Sequence, residues 1–130
     1  MTVEVMVLGL SALLACAQLA LAAAMANRQL GSSYLAGPRD EGVRLTGIAG
    51  RLRRACYNQL EGLVLFAVAV TVLTFADRAH PFTQLAAVIY LAARLVYVPL
   101  YAFGVRWWRS AVWTVGWLAT VFILLWGLLG

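Results

Sequence analysis

The sequence predicts an all-α membrane protein built as a bundle of four transmembrane helices. Of its 130 residues, 64% are hydrophobic, and charged residues make up only 12%, about half the usual globular share. The mean hydropathy is +0.87. A chain this small buries the smallest fraction of its surface, so a soluble fold could not hide so much apolar area. Composition therefore excludes a soluble globular protein, a disordered chain and a disulfide scaffold.

Four apolar stretches divide the chain, and each can supply the roughly 20 helical residues that cross a bilayer. They predict helices over about residues 5–26, 53–76, 82–105 and 110–129, which form a single transmembrane domain covering residues 1–130. Helices are favoured because backbone groups in lipid must be satisfied internally and the alternating pattern of a barrel is missing. The first stretch lacks the basic n-region of a signal peptide, since its only early charge is Glu4.

Arginine supplies all ten basic residues, against five acidic ones. Four helices place connections one and three on one side of the membrane, and the termini and connection two on the other. Arg78 alone lies on the second side, so the positive-inside rule makes connections one and three cytoplasmic. The first side carries eight arginines: Arg28, Arg39, Arg44, Arg51, Arg53, Arg54, Arg106 and Arg109. This surplus at a membrane edge suits anionic headgroups better than nucleic acid, and no nucleic-acid partner is expected.

A polar stripe enters the second helix from the cytoplasmic side. Its members are Arg51, Arg54, Asn58 and Glu61, and their spacings of three, four and three put them on one helical face. Lipid would not tolerate an amide and a carboxylate, so this face should point into the bundle or at a neighbouring subunit. Two interpretations remain open, a polar ladder that holds helices together and a ligand site.

A second stripe runs along the third helix towards the same side, and it consists of Tyr90, Arg94, Tyr97 and Tyr101. An aromatic belt at the interface would cluster at one depth, whereas this stripe spans roughly 16 Å at 1.5 Å per residue. Arg94 needs a partner inside the membrane, and Glu61 is the candidate. On the first helix, Glu4, Ser11 and Gln18 recur every seven residues and predict a seam between helices.

The two stripes together suit a small zwitterionic ligand with several carboxylates. Arginine forks bind carboxylates bidentately, Glu61 suits an ammonium group, and Asn58 suits an amide. Glutathione, a tripeptide with two carboxylates and one ammonium, fits that inventory. The sequence has no cluster of metal ligands, nucleophile triad or glycine loop for phosphate, so no metal is expected.

At these residues the sequence resembles the MAPEG family, the membrane-associated proteins of eicosanoid and glutathione metabolism, and within it the bacterial type of microsomal glutathione transferase. Residues 54–61, RACYNQLE, match the family signature R-A-x-x-N-x-x-E. Residues 94–101, RLVYVPLY, match its third-helix pattern R-x-x-Y-x-x-x-Y. The resemblance covers nearly the whole chain, because the four helices and the long first connection also agree.

The resemblance implies a homotrimer in the bacterial inner membrane, with glutathione as co-substrate bound between subunits near the cytoplasmic face. It implies a site lined by Arg54, Asn58, Glu61, Tyr97 and Tyr101, which Arg51 and Arg94 extend along the same stripes. Arg28 corresponds loosely to an arginine that reaches the ligand from the neighbouring subunit. The arginine that activates the thiol matches Arg109 best, with Arg106 as the alternative.

The function implied is a glutathione-dependent transferase or peroxidase, in which the thiolate attacks a hydrophobic electrophile or a lipid hydroperoxide that arrives from the bilayer. Cys56 and Tyr57 stand where two eicosanoid synthase types have glutamine and arginine, which argues against an eicosanoid substrate. The alternatives are a non-catalytic lipid- or glutathione-binding scaffold and a small transporter. The position of Glu61 near one end of its helix counts against transport, which usually uses a group at the midplane.

Overall fold

The computed structural model describes all 130 residues and contains five helices and no strand. Four of the helices are long and apolar enough to cross a membrane: α1 (Val3–Leu30), α3 (Gly47–Phe75), α4 (Pro81–Ala102) and α5 (Trp107–Leu129). The remaining helix, α2 (Ser32–Ala36), is a short segment of the first connection. The prediction of an all-α bundle of four transmembrane helices is confirmed.

The helix ends at connections one and three differ from the predicted ones. Helix α1 continues to Leu30 rather than ending near residue 26, and α3 begins at Gly47 rather than at residue 53. Helix α1 continues through the polar residues Asn27 to Gln29, where hydropathy gives no signal, and α3 begins in a glycine-containing segment, residues 47–52, that precedes its clean apolar stretch. Helix α4 ends at Ala102 rather than residue 105, and α5 begins at Trp107 rather than residue 110. The turn between them needs Gly104, whose φ of +72° is readily adopted only by glycine.

The tight turn between α3 and α4 is fixed by the cap of α4. The backbone N–H of His80 donates to Thr83 Oγ1 over 2.9 Å, and the imidazole Nδ1 of His80 accepts from the N–H of Phe82 over 3.2 Å. Pro81 takes the first helical position, where its missing N–H costs nothing. The cap therefore sets α3 and α4 antiparallel across the bilayer.

Helices α3 and α4 form the centre of the bundle. Both contact α1 and α5, whereas α1 and α5 do not contact each other. The apolar core fills the half of the bundle nearer connection two, and its members are Val7, Phe66, Ala69, Val70, Leu73, Ala86, Ala87, Tyr90, Ala119 and Ile123. The other half, towards connections one and three, holds the polar stripes.

The polar face of α1 is buried against α3 and α4, as its heptad spacing predicts. Glu4 and Ser11 are fully buried and Gln18 is 5% exposed. The hydroxyl of Thr83 hydrogen-bonds to the Glu4 carboxyl, and the Gln59 side-chain N–H donates to the Ser11 carbonyl over 3.2 Å. These bonds join α1 to the central helices, so the predicted seam is confirmed.

Large apolar side chains cover the outside of the bundle. Leu13 is 65% exposed, Val64 63% and Leu85 58%, and all three lie in helices that are long and apolar enough to cross a membrane. In water such a surface would be an extensive apolar patch, whereas in a bilayer it meets hydrocarbon. The chain is an integral, multi-pass membrane protein.

Candidate functional site

A polar cleft opens where α3 enters the bundle, α4 ends and α5 begins. Its volume is about 380 Å³, and it is called the polar cleft below. Its lining residues are Asn58, Tyr97, Tyr101, Arg109, Ser110, Trp113 and Thr114. The structure therefore brings together four residues that the sequence predicts for the site, and it does so from three different helices.

Tyr101 lies between two arginines at the rim of this cleft. The Arg54 Nε–H donates to the Tyr101 hydroxyl over 3.1 Å, and the Arg109 guanidinium carbon lies 4.6 Å from the centre of the Tyr101 ring. Neither guanidinium is bonded to a carboxylate, and both keep further N–H donors. Two positive charges held this close without a counter-ion favour the binding of an anion.

The beginning of α5 adds to this preference for negative charge. Arg106 occupies the N-cap position, no side chain caps the first backbone N–H groups, and Arg109 lies in the first turn. Cations at this end oppose the helix dipole, whereas an anion would be stabilised by both the dipole and the free N–H groups. The local sequence is thus unfavourable for the helix itself and favourable for an anionic ligand.

Arg94 joins α4 to α3 beneath the polar cleft. It is 4% exposed, its Nε–H donates to Gln59 Oε1 over 2.6 Å, and its Nη1–H donates to Asn58 Oδ1 over 2.9 Å. The expectation that Glu61 is its partner is wrong. In the single chain Glu61 is exposed and makes no hydrogen bond to Arg94, although both residues line the same smaller cleft.

The bond from Arg94 determines the orientation of the Asn58 amide. A guanidinium group only donates, so the oxygen of Asn58 must face Arg94 and its NH₂ group must point away. Asn58 also lines the polar cleft. The NH₂ group of Asn58 therefore faces the polar cleft as a hydrogen-bond donor, which suits a carbonyl or carboxylate oxygen of a ligand.

Gln59 is the site residue that the sequence reasoning missed. It is fully buried and links Arg94 on α4 to the backbone of Ser11 on α1. The sequence indicates such a role for Gln59, because it is a second amide directly after Asn58 in a membrane-spanning segment. An amide there requires a partner on another helix. Ser110, Trp113 and Thr114, which line the polar cleft, are also absent from the predicted site.

A second, smaller cleft adjoins the polar cleft on the membrane side. Its volume is about 90 Å³, and it is called the inner cleft below. Ten residues line it, from α3, α4 and α5: Asn58, Glu61, Gly62, Leu65, Tyr90, Arg94, Trp113, Gly116, Trp117 and Thr120. Asn58 and Trp113 line both clefts, so the two adjoin. The predicted residues Glu61 and Arg94 thus belong to the inner cleft rather than to the polar one.

Four predicted residues line neither cleft in the single chain: Arg54, which bonds to Tyr101 at the rim, and Arg28, Arg51 and Arg106. The Arg51 Nε–H donates to the Ala102 carbonyl over 2.8 Å and so ties α3 to the end of α4. Arg28 is exposed in the last turn of α1 and lines a separate groove near Thr46. Arg106 is exposed at the N-cap of α5. Of the two arginines considered for thiol activation, only Arg109 reaches the polar cleft.

Fold and site together define an integral membrane bundle with a polar cleft, flanked by Arg54 and Arg109, at one edge of the bilayer. The family model described as the MAPEG family matches residues 7–129. The chain belongs to the MAPEG family, which includes membrane-bound glutathione transferases and peroxidases. No curated protein and no solved structure matches the chain.

Proposed function

We propose that this protein is a glutathione-dependent transferase or peroxidase that works within the membrane. The observation that carries the proposal is the placement of Arg54 and Arg109 on either side of Tyr101, with no carboxylate to neutralise them. Glutathione has two carboxylates, and its thiol becomes an anion when it reacts. The polar cleft supplies positive charge and hydrogen-bond donors for these groups.

Residues in and beside the polar cleft supply the groups that would bind glutathione. Arg54 binds a glutathione carboxylate, and the outward-facing NH₂ of Asn58 donates to a peptide carbonyl or to the second carboxylate. Tyr97 and Tyr101, whose ring centres are 5.6 Å apart, form the wall against which the tripeptide packs. Glu61, close by in the inner cleft, binds the ammonium group. The hydrogen-bond donors and the charges of these residues therefore complement the carboxylates and the ammonium group of glutathione.

Arg109 is the catalytic residue in the proposal. A free thiol is mostly protonated near neutral pH, and the thiolate is the nucleophile. A fixed guanidinium beside the sulfur stabilises the thiolate without transferring a proton itself. The thiolate then forms a bond to an electrophilic carbon. With a hydroperoxide it attacks the terminal oxygen, releasing an alcohol and leaving a sulfenic acid, which a second glutathione reduces to the disulfide and water.

The proposed assembly is a homotrimer whose neighbouring subunit completes the site. Arg54 and Glu61 are exposed in the single chain although they flank the membrane-spanning part of α3. A carboxylate at this level is costly in lipid, so a neighbouring protein surface is the expected cover. We place Arg28 of the neighbour over the ligand, and connections one and three on the cytoplasmic side of a bacterial inner membrane.

The proposal is tested by a conjugation assay with 1-chloro-2,4-dinitrobenzene and a pair of arginine variants. Arg109→Ala should lower kcat/KM by about 100-fold, the usual cost of removing a preorganised donor that stabilises developing charge. Arg106→Ala, three residues earlier and outside both clefts, should change the rate less than threefold. Equal effects of the two substitutions, or an unchanged rate in Arg109→Ala, would remove Arg109 from the mechanism. Glutathione binding without turnover of any electrophile would favour the non-catalytic scaffold.

A further inference from the structure

Arg94 and Glu61 carry opposite charges and line the same inner cleft, yet they do not bond to each other. Arg94 bonds to two neutral amides instead, through its Nε–H to Gln59 Oε1 over 2.6 Å and through its Nη1–H to Asn58 Oδ1 over 2.9 Å. Opposite charges attract each other more strongly in a protein cleft than in water. The pairing of Arg94 with amides rather than with the carboxylate therefore needs a structural cause.

The guanidinium group of Arg94 lies beside the segment of α3 that carries Glu61. A Cβ atom on Gly62, the residue after Glu61, would lie 4.0 Å from both Cζ and Nη1 of Arg94. The Nη2 group of Arg94 is buried and has no hydrogen-bond partner in the chain. A guanidinium that turned towards Glu61 would therefore gain an acceptor that it lacks in its present direction.

Gln59 holds Arg94 in that present direction. It is fully buried, its Oε1 accepts from Arg94 on α4, and its Nε2–H donates to the Ser11 carbonyl of α1 over 3.2 Å. A carbonyl only accepts, so the NH₂ end of the Gln59 amide must face Ser11 and the oxygen end must face Arg94. Through Gln59, the backbone of α1 thus fixes the acceptor that Arg94 meets.

Tyr97 contacts Arg94 from within α4 but does not select its partner. The guanidinium carbon of Arg94 lies 4.6 Å from the centre of the Tyr97 ring. This contact is an attraction between a cation and the face of a ring, and it does not distinguish one hydrogen-bond acceptor from another. The bonds to Gln59 and Asn58 therefore determine where the N–H groups of Arg94 point.

We propose that Gln59 is a positioning residue for glutathione. By holding Arg94 on the two amides, it keeps the Glu61 carboxylate free to bind the ammonium group of the ligand. The inference rests on the proposed function, in which Glu61 binds that ammonium group. Gln59 itself is fully buried and acts only through Arg94.

Removing the Gln59 oxygen should have a specific effect on the ligand. The Nε–H of Arg94 would lose its acceptor, and Glu61 lines the same cleft as a charged replacement. An ion pair between Arg94 and Glu61 would neutralise the carboxylate, so the ammonium group of glutathione would lose its partner. The carboxylates of glutathione would keep Arg54, so the loss of affinity should depend on the ammonium group.

The test compares glutathione with glutaryl-cysteinylglycine, the analogue that keeps both carboxylates and has hydrogen in place of the ammonium group. Both are titrated by calorimetry into the detergent-solubilised protein. Gln59→Met keeps the length of the side chain and removes its amide. It should raise the Kd of glutathione about tenfold, the loss of one charged contact, and change the Kd of the analogue by less than about threefold.

Gln59→Glu separates positioning from packing. Either oxygen of its carboxylate can accept from Arg94, but neither can donate to the Ser11 carbonyl. The variant should therefore keep the wild-type preference for glutathione over the analogue. If Gln59 served only to join α1 to α3, Gln59→Glu and Gln59→Met would both weaken the binding of the two ligands alike.

Gln18→Met is the matched control, because it makes the same change at a glutamine of α1 that is 5% exposed and lines neither cleft. It should alter neither Kd. An unchanged Kd of glutathione in Gln59→Met, an equal rise with both ligands, or equal affinities for the two ligands in Gln59→Glu would overturn the inference and leave the proposed function in place. Wild-type protein that binds neither ligand would contradict the proposed function itself.

Discussion

The side chain of Arg94 connects three helices through the directions of its hydrogen bonds. It donates to Asn58 and Gln59 on α3, and Gln59 in turn donates to the backbone of Ser11 on α1. Because a guanidinium group only donates, this network also fixes which side of the Asn58 amide faces the polar cleft. A single buried cation therefore contributes to both packing and ligand recognition.

Replacing Arg94 with alanine should destabilise the bundle. The substitution leaves the buried oxygens of Asn58 and Gln59 without donors, which should lower the free energy of unfolding by about 1 to 3 kcal/mol. The measurement is denaturant unfolding of the protein in detergent micelles, followed by circular dichroism. Arg28→Ala, which removes an exposed arginine, is the control and should leave stability unchanged. Equal stability of the two variants would show that the Arg94 network adds nothing to folding.

Residue spacing and the family resemblance together predict four of the seven residues that line the polar cleft. Asn58, Tyr97 and Tyr101 come from the two stripes and Arg109 from the resemblance, and their roles stay predictions. The partner of Arg94 was not predictable in the same way. Asn58, Gln59 and Glu61 are all polar, and which of them faces α4 depends on how α3 is rotated in the bundle.

The helix boundaries show where hydropathy stops being informative. Apolar stretches locate the membrane-spanning part of each helix well, but α3 begins six residues before the predicted position and α1 continues four residues beyond it. Arginine and glutamine continue α1 as easily as leucine does, whereas α3 begins in a segment with two glycines, Gly47 and Gly50, which are poor helix formers. The extension matters for the site, because it places Arg51 in the same helix as Arg54.

Close packing of α3 on α5 near connection two should depend on the glycine at position 127. A Cβ atom there would lie 3.1 Å from the backbone of Leu73, so Gly127→Ala should push the helices apart and cost about 1 to 3 kcal/mol. Gly9→Ala is the matched control, since nothing lies within 4 Å of its added Cβ. Thermal unfolding in detergent should separate the two variants. Similar midpoints would contradict the close approach of α3 and α5.

At the scale of the whole molecule, the surface of α3 carries both apolar and charged exposed residues. Apolar residues such as Val64 and Leu65 are exposed on it, and so are Arg54 and Glu61. Hydrocarbon suits Val64 and Leu65 better than it suits Arg54 and Glu61. In the proposed assembly a neighbouring subunit covers this part of α3, which is one of the two surroundings that the polar stripe predicts, the other being the interior of the bundle.

Native mass spectrometry of the detergent-solubilised protein should therefore show three copies of the 14.1 kDa chain. The trimer should persist in Arg106→Ala, because Arg106 lies at an exposed helix end rather than on the α3 surface. Glu61→Lys should weaken the trimer by placing a further positive charge beside Arg54 on the surface that we expect a neighbour to cover. A monomer under conditions that preserve the fold would contradict the proposed assembly.

The most direct test of the central claim is the ultraviolet absorbance of the glutathione thiolate on the purified protein. The account predicts that titrating glutathione into the wild-type protein at neutral pH produces a saturable thiolate signal, because Arg109 stabilises the anion in the polar cleft. S-methylglutathione, which has no ionisable thiol, should bind and give no such signal. Arg109→Ala should bind glutathione and lose most of the signal. Glutathione that fails to bind the wild-type protein, or that binds as the neutral thiol, would contradict the account.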